Sequence, residues 1–250
     1  MDGRISQLGT IIPYVTRQFA WGLQGRAYSF AQLHDLAWFA SSAKKLPTVP
    51  VESLFSGITN LPIQLQCSLP KVRGNLTVDE LAAVAMLCQW LAPHTVFEFG
   101  TFNGRTTLNL AANTQDAAKI YTLDLLAPGK TELKTDDEDG AYHLREKTGT
   151  FFHDSQLRNK IEQLWSDSAL FDETFLHGKV DLAFVDGAHS LEYVRSDSAK
   201  ALAMVRPGGI VLWHDYCAWY PGVYQGLHEL LPKHAVKHID GTHLAILYPR

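Results

Sequence analysis

A short apolar run, a glycine turn and a helical segment follow one another between Val96 and Thr114. The run VFEFG ends at Gly100, and TTLNLAANT has apolar residues at helical spacing. A strand, a tight glycine turn and a helix make up the first βα unit of a nucleotide-binding fold, in which the strand is buried inside a sheet. This unit restricts the chain to an α/β fold with helices packed on the sheet.

Four further apolar runs repeat the strand pattern: IYTLDL (Ile120–Leu125), KIEQLW (Lys160–Trp165), VDLAFVD (Val180–Asp186) and GIVLWHD (Gly209–Asp215). Helical stretches lie between several of them, which is typical of parallel strands with helices on both faces. HAVKHID and HLAILY are separated only by Gly241 and Thr242, which is typical of an antiparallel hairpin. We predict a Rossmann-like, doubly wound α/β sheet of seven mostly parallel strands that closes with this hairpin.

A change of pattern divides the chain near residue 75. Residues 1–75 show scattered helical periodicity, as in FAQLHDLAWFA, interrupted by Pro47, Pro50, Pro62 and Pro70. Prolines mark loops or helix ends. From Thr77, TVDELAAVAMLCQWLA has a threonine cap with Glu80 three residues later, the pattern of a capping box. We predict a helical N-terminal extension or cap over 1–75 and one α/β domain over 76–250.

The composition excludes several classes of protein. The 22 basic and 26 acidic residues give a net charge of −4, and no lysine and arginine run forms the basic stripe of a nucleic-acid-binding surface. Cys67, Cys88 and Cys217 have no C-x-x-C spacing, so neither a disulfide framework nor a thiolate zinc site is indicated. No stretch resembles a membrane span or a signal peptide. We expect a cytoplasmic protein with reduced thiols and no nucleic-acid or membrane partner.

The glycine loop differs from the dinucleotide-binding pattern G-x-G-x-x-G. Its glycines, Gly100 and Gly104, are four residues apart, and Glu98 precedes them where an anionic phosphate would be repelled. Gly100 is expected to allow the tight turn, and Gly104 to let the backbone approach a ligand. Asp124 ends the next strand, 24 residues after Gly100, at the usual place for an acid that accepts hydrogen bonds from ribose hydroxyls. The pattern predicts a ligand with a ribose and an amino group.

These motifs resemble those of class I S-adenosylmethionine-dependent methyltransferases. E-F-G-T-F-N-G-R-T is similar to their first motif, Y-T-L-D to the acidic one, and W-S-D-S (Trp165–Ser168) to the one near the adenine. The resemblance runs from about Thr77 to the C-terminus and implies S-adenosylmethionine as cofactor. It implies that Asp167 contacts the adenine amino group. The cofactor-binding residues that it implies are Glu98, Gly100, Thr101, Gly104, Thr106, Asp124, Asp167 and Ser168.

Two later motifs, V-D-G-A-H-S-L-E-Y and R-P-G-G-I-V-L-W-H-D-Y, resemble a narrower branch. This branch is that of the metal-dependent small-molecule O-methyltransferases, which include macrolide-sugar and cephalosporin-tailoring enzymes. The resemblance implies that Asp186 and Asp215 bind Mg²⁺, with His214 beside them as a third ligand or a supporting residue, and that His189 is the catalytic base. Some relatives have a carboxylate in place of His214 and others an asparagine in place of Tyr216, which leaves the metal open.

The residues support this chemistry without the resemblance. Asp186, His189, His214 and Asp215 fall at the carboxyl ends of predicted neighbouring strands, where open α/β sheets bind ligands. Two carboxylates and an imidazole at that edge can orient and deprotonate a hydroxyl, with or without a hard cation. The aromatic residues Trp213, Trp219 and Tyr220 are candidates for the acceptor pocket or for packing. Asp181 and Glu192 are expected to be structural.

The expected function is methyl transfer from S-adenosylmethionine to a hydroxyl of a small molecule. A nicotinamide-dependent oxidoreductase is the first alternative, which the missing third glycine and Glu98 disfavour. A non-catalytic cofactor-binding regulatory module is the second, which the candidate catalytic residues Asp186, His189 and Asp215 disfavour. Residues 1–75 either cover the pocket or form a contact in a homo-oligomer. The segment Leu126–Thr150, which contains an acidic run at 136–139, is either a lid or a solvated loop.

Overall fold

The computed structural model describes residues 45–66, 74–126, 131–135, 148–217 and 219–248. The segment FAQLHDLAWFA and the acidic run at 136–139 lie outside these residues. The strands of the described part are β1 (Thr48–Val49), β2 (Thr95–Phe99), β3 (Lys119–Asp124), β4 (Ile161–Trp165), β5 (Val180–Val185), β6 (Val205–Trp213), β7 (Lys237–Ile239) and β8 (Ala245–Leu247). The α-helices described are α1 (Val78–Leu91), α2 (Arg105–Ala112), α3 (Thr150–His153), α4 (Leu191–Met204) and α5 (Pro221–Leu230).

The strands form one sheet in the order β1-β7-β8-β6-β5-β2-β3-β4. Strands β2 to β6 are parallel, and β8 runs antiparallel to both β6 and β7. The predicted Rossmann-like sheet with a closing hairpin is confirmed. The predicted number of strands is wrong by one, because Thr48 and Val49 pair in parallel with β7 and extend the edge. A strand of two residues is too short to show a hydrophobic period.

The central strands are buried on both faces. Every residue of β5 is buried, and such strands are continuous apolar runs because neither face meets water. Val96 of β2 belongs to the core on the side of α1 and α2, whereas Phe97 and Phe99 belong to the core on the side of α4 and α5. This alternation follows from the two-residue period of a strand.

Part of the predicted N-terminal extension is packed into the core. Its buried apolar side chains are Leu46, Val49, Leu54 and Ile58. The Asn113 side chain holds this segment by accepting from the backbone N–H of Gln64 at 2.9 Å and donating to its carbonyl at 2.7 Å. Residues 45–66 therefore pack against the α/β unit and share its core.

Helix α1 begins with the predicted capping box. The Thr77 hydroxyl accepts from the backbone N–H of Glu80, and the Glu80 carboxylate accepts from the backbone N–H of Thr77 at 2.7 Å. Each bond satisfies an N–H that the first helical turn leaves without a partner. Within the described residues, no helix is long and apolar enough to cross a membrane.

The strand order reverses between β2 and β5. The chain passes from β2 to β3 and β4 on one side, and later to β5 and β6 on the other. Loops diverge at such a switch point, and the crevice that opens at the carboxyl ends of the strands is where open α/β sheets bind ligands.

Candidate active site

A cavity of about 410 Å³ opens at the carboxyl ends of β2, β3, β5 and β6. This volume is in the range of small-molecule pockets. The cavity has two halves. We name the halves after the roles predicted from the sequence. The loops after β2, β3 and β4 form the half that we call the cofactor half, and the loops after β5 and β6 form the half that we call the acceptor half.

Gly100 lies where the two halves meet. It has a φ of +89°, and a Cβ atom at this position would lie 2.0 Å from the carbonyl oxygen of Asp186. Its N–H donates to the Leu123 carbonyl at 2.9 Å. The predicted tight turn is confirmed, and glycine is required there because the backbone of β5 passes so close.

Gly104 has a packing reason to be glycine that the sequence did not show. It precedes α2 with a φ of +80°, and an added Cβ would lie 2.6 Å from the ring of Phe152. Phe152 is fully buried. This glycine therefore makes room for an aromatic side chain from α3, and the approach of a ligand to its backbone stays a prediction.

Asp124 closes the glycine loop against the end of β3. Its Oδ2 accepts from the backbone N–H groups of Thr101 at 3.1 Å and Phe102 at 2.8 Å, and its Oδ1 accepts from Leu125 N–H at 2.7 Å. The carboxylate also lies on the cavity wall. The sequence predicted the place of Asp124 but not its anchoring of the loop.

Glu98 lies beneath the loop and is fully buried. Its Oε2 accepts from the hydroxyls of Thr107 at 2.5 Å and Thr122 at 2.6 Å. Burial, reinforced by the nearby charges of Asp186 and Asp124, raises the pKa of Glu98 to about 8 despite these bonds. At neutral pH the side chain is therefore mostly protonated. The prediction that its negative charge selects against a phosphate is not supported by this environment.

The two predicted threonines of the loop lie on the cavity wall. Thr101 and Thr106 are both buried. The Thr101 hydroxyl lies 2.7 Å from the Thr122 hydroxyl and accepts from the Gln163 amide at 3.0 Å. These bonds connect the loop to β3 and β4.

Asp167 and Ser168 follow β4 and line the far end of the cofactor half. Asp167 accepts from the Tyr193 hydroxyl, which lies 2.8 Å from both carboxylate oxygens. Burial and this bond raise the pKa of Tyr193 to about 12. Ser168 is hydrogen-bonded to Asp197, whose pKa burial raises to about 7. Sequence analysis missed Tyr193 and Asp197, because nothing in the sequence distinguishes them from other residues of a helix.

The acceptor half contains the predicted catalytic group. Asp186, His189 and Asp215 present ligand atoms that all lie within 4.8 Å of one another. His189 Nε2 is 2.7 Å from Asp215 Oδ2, and the Tyr220 ring stacks on the imidazole with centroids 4.1 Å apart. The structure thus brings together the three residues that the sequence predicted as a group.

Asp215 has a left-handed backbone with a φ of +59°. Such a conformation costs free energy for a residue other than glycine, although aspartate tolerates it better than most, and it persists where the surroundings hold it. The N–H of the preceding residue, His214, donates to the Val185 carbonyl at 3.0 Å. The turn directs the Asp215 carboxylate back toward β5.

His214 connects three carboxylates. Its Nδ1 is 3.0 Å from Asp186 Oδ1 and 3.3 Å from Asp215 Oδ2, and its Nε2 is 3.4 Å from Glu80 Oε2. Burial opposes its charge, but Asp215 and Asp186 raise the pKa of His214 well above its ordinary value. Among the described residues, the group here that could hold a metal consists of Asp186, His189 and Asp215 and does not include His214. The contacts of His214 hold the carboxylates together, and its role as a metal ligand stays a prediction.

Glu80 is a further residue of the cavity whose role sequence analysis missed. Besides capping α1, it lies against His214 and its Oε1 accepts from His243 N–H at 2.7 Å. Burial alone would raise its pKa, but His214 and the backbone N–H groups of Thr77 and His243 lower the pKa of Glu80 to about 2. The capping box was a sufficient reason for a glutamate at this position, so nothing in the sequence indicated its contacts with His214 and His243.

The three predicted aromatic residues lie in different environments. Trp213 is buried in the core and its Nε1 donates to Ser198 at 2.9 Å, so its candidacy for the acceptor pocket is wrong. Tyr220 lines the cavity, and the neighbouring Trp219 is partly exposed. Asp181 is structural, as expected, because its carboxylate accepts from the backbone N–H groups of His94 and Thr95 at the start of β2.

Comparison with known proteins agrees with this architecture. Residues 97–216 match the model of a family described as "Methyltransferase domain". The O-methyltransferase from Bacillus cereus in complex with SAH is 14% identical, with a TM-score of 0.52 over 71% of this chain and 84% of that chain. The O-methyltransferase TomG from Streptomyces achromogenes, involved in tomaymycin synthesis and solved with SAM, is 16% identical, with a TM-score of 0.52 over 80% and 94%.

A third solved structure, cofactor-bound Rv0187 from MTB, is 15% identical, with a TM-score of 0.52 over 73% of this chain and 84% of that chain. No curated protein sequence matches the chain significantly. The matched segment 97–216 contains both the glycine loop and the group of Asp186, His189 and Asp215.

Proposed function

We propose that this chain is a class I S-adenosylmethionine-dependent methyltransferase that transfers a methyl group to a hydroxyl of a small molecule. The observation that carries the proposal is the group of Asp186, His189 and Asp215, which shares one cavity with the glycine loop. A proton acceptor beside a cofactor cavity is what methyl transfer to a hydroxyl requires. The structural neighbours named as O-methyltransferases support the same chemistry.

The polar atoms of the cavity suit the cofactor. Asn75 Nδ2, Asn103 Nδ2 and Asp197 Oδ1 are buried and have no hydrogen-bond partner within the part of the chain that the structure describes, and all three residues line the cavity. A buried polar atom without a partner costs about 1–3 kcal/mol, which a ligand that pairs with it recovers. In this proposal Asp124 accepts from the ribose hydroxyls, while Asp167 and Ser168 lie at the adenine. Bound S-adenosylmethionine supplies the activated methyl group on its sulfonium.

His189 is the proposed general base. Asp215 holds the imidazole by its Nε2 at 2.7 Å, and Tyr220 stacks on the ring, so the orientation of the base is fixed from two sides. Against the effect of burial, His214 and His189 lower the pKa of Asp215 far below its ordinary value. Asp215 therefore stays ionised and stabilises the imidazolium that forms when His189 takes the hydroxyl proton. The protein then has to align the acceptor oxygen and exclude water.

We further propose that Mg²⁺ or a similar hard cation assists, held by Asp186 and Asp215. Carboxylate oxygens are the preferred ligands of such cations, and one or two protein carboxylates suffice because Mg²⁺ keeps several waters. A cation here would lower the pKa of the acceptor hydroxyl. If activity survives EDTA undiminished, the metal proposal fails and the base mechanism stands alone.

The test is transfer of a labelled methyl group from S-adenosylmethionine to a panel of phenols and glycosides. The wild type is compared with Asp215→Asn, and binding of S-adenosylhomocysteine is measured for both. We expect label in at least one oxygen-methylated product, greatly reduced transfer by the variant, and similar S-adenosylhomocysteine affinity. Cofactor binding with no transfer to any hydroxyl, while amines or thiols are methylated, would overturn the proposed acceptor class.

A further inference from the structure

A second group of potential metal ligands lies beside the catalytic group. Asp215, Cys217 and His243 present ligand atoms that all lie within 4.8 Å of one another. Asp215 belongs to both groups, whereas Cys217 and His243 have no part in the proposed methyl transfer. The spacing of the cysteines in the sequence gave no sign of this group, because its members come from two segments of the chain.

Backbone hydrogen bonds hold the two segments together. Tyr216 N–H donates to the His243 carbonyl at 2.9 Å, and Cys217 N–H donates to the Asp215 carbonyl at 2.7 Å. His243 N–H donates a hydrogen bond to Glu80 Oε1 at 2.7 Å. The three side chains are therefore brought together by the fold before any ligand arrives, which reduces the ordering cost of binding.

The ligand types differ between the two groups. Two carboxylates and an imidazole suit a hard cation, whereas a thiolate with an imidazole and a carboxylate suits Zn²⁺, which takes Cys, His and Asp ligands in tetrahedral sites. The Cys217 thiol is free and buried, and the His243 side chain is 46% exposed, which provides a path for a metal ion. Three protein ligands leave a fourth position for water.

We propose that Asp215, Cys217 and His243 form an inhibitory site for Zn²⁺ or another thiophilic divalent cation. On binding, the Cys217 thiol releases its proton to solvent and the thiolate coordinates the ion. The Asp215 carboxylate is then shared with the cation and holds His189 less firmly. The inhibition rests on the proposed function, but the binding does not.

The binding is tested with Co²⁺ as a spectroscopic probe on the full-length protein. We expect Co²⁺ to give the near-ultraviolet absorption of a thiolate-to-cobalt charge transfer, and Zn²⁺, but not excess Mg²⁺, to remove it. Cys217→Ser should abolish the absorption, and His243→Gln, at an exposed side chain, should weaken Zn²⁺ binding at least tenfold. Cys67→Ser and Cys88→Ala are the matched thiol controls and should keep the absorption. An unchanged spectrum in Cys217→Ser, or no cobalt uptake by the wild type, overturns the site.

The inhibition is tested by methyl transfer with increasing Zn²⁺. We expect Zn²⁺ to inhibit the wild type and to inhibit Cys217→Ser at least tenfold more weakly, with thermal unfolding showing that the variant is folded. Equal inhibition of both proteins overturns the inhibitory role even if cobalt binds. If the wild type methylates no acceptor, the proposed function fails, while the cobalt spectra still decide whether the site exists.

Discussion

The two halves of the cavity are held by different forces. In the cofactor half, carboxylates such as Asp124 accept from nearby backbone N–H groups, so the geometry depends on the local chain path. In the acceptor half, His214 lies among Glu80, Asp186 and Asp215, so the geometry depends on charges from distant elements. The difference teaches that one cavity can combine a part held by the local chain path with a part held by ionic contacts between distant elements.

The largest expected effect is that of Gly100→Ala, at the position where the two halves of the cavity meet. The added Cβ would lie 2.0 Å from the Asp186 carbonyl oxygen at a φ of +89°. We expect a loss of about 3–5 kcal/mol of stability from combined overpacking and backbone strain. Chemical denaturation measures this loss.

Gly241→Ala in the hairpin is the matched control for Gly100→Ala. Its φ is +74°, but an added Cβ meets nothing within 4 Å. Only the backbone conformation should cost free energy, about 1–2 kcal/mol. Equal losses in the two variants would show that the close approach of β5 to Gly100 does not matter.

The acceptor half alone is tested by His189→Gln. Loss of a general base typically costs about 10²- to 10⁴-fold in rate, and because His189 lies in the acceptor half, S-adenosylhomocysteine affinity should change little. Single-turnover methyl transfer across pH measures the effect. A loss below about tenfold, with the acidic limb of the wild-type pH profile still present, would remove His189 from the mechanism.

The charge network is tested by Glu80→Gln as a function of pH. The pKa of Glu80 is lowered to about 2 from an ordinary value of 4.5. Its ionised form therefore stabilises the folded state above pH 4.5, and this contribution is lost as the pH falls toward 2. At about 1.4 kcal/mol per unit of pKa, the variant should lose about 3 kcal/mol at pH 7.

Denaturation of the wild type and Glu80→Gln at several pH values checks this contribution. The difference between them should shrink as the pH falls from 4.5 toward 2. A difference independent of pH would mean that Glu80 acts only as a helix cap, because a neutral glutamine changes the cap at every pH.

The smallest expected effect is on the cofactor half. Asp124→Ala should weaken S-adenosylhomocysteine binding at least tenfold, about 1.4 kcal/mol, because the ribose hydroxyls and the loop lose a charged acceptor. Calorimetry measures the affinity, and Asp116→Ala, at an exposed position, is the control. Unchanged affinity in Asp124→Ala would exclude the ribose assignment.

Local patterns made much of the fold predictable. The capping box of Thr77 and Glu80, the turn at Gly100 and the hairpin at Gly241 each depend on residues close in sequence, so the sequence contains the necessary information. The group of Asp186, His189 and Asp215 was predictable because parallel strands end at the same edge. Residues with a sufficient local explanation, such as Glu80 and Gly104, were the ones whose long-range contacts the sequence did not predict.

By itself, the sequence determined the alternation of strands and helices, and with it the edge at which the polar strand ends meet, because buried strands and capped helices are specified by neighbouring residues. Tertiary structure alone decided which side chains face one another. His214 and Glu80 are 134 residues apart, and Cys217 meets His243 only because β8 lies beside β6. Such contacts depend on the order of strands in the sheet, which no local pattern encodes. The raised pKa of His214 follows from the neighbouring carboxylates Asp215 and Asp186, and the raised pKa of Glu98 follows mainly from its burial.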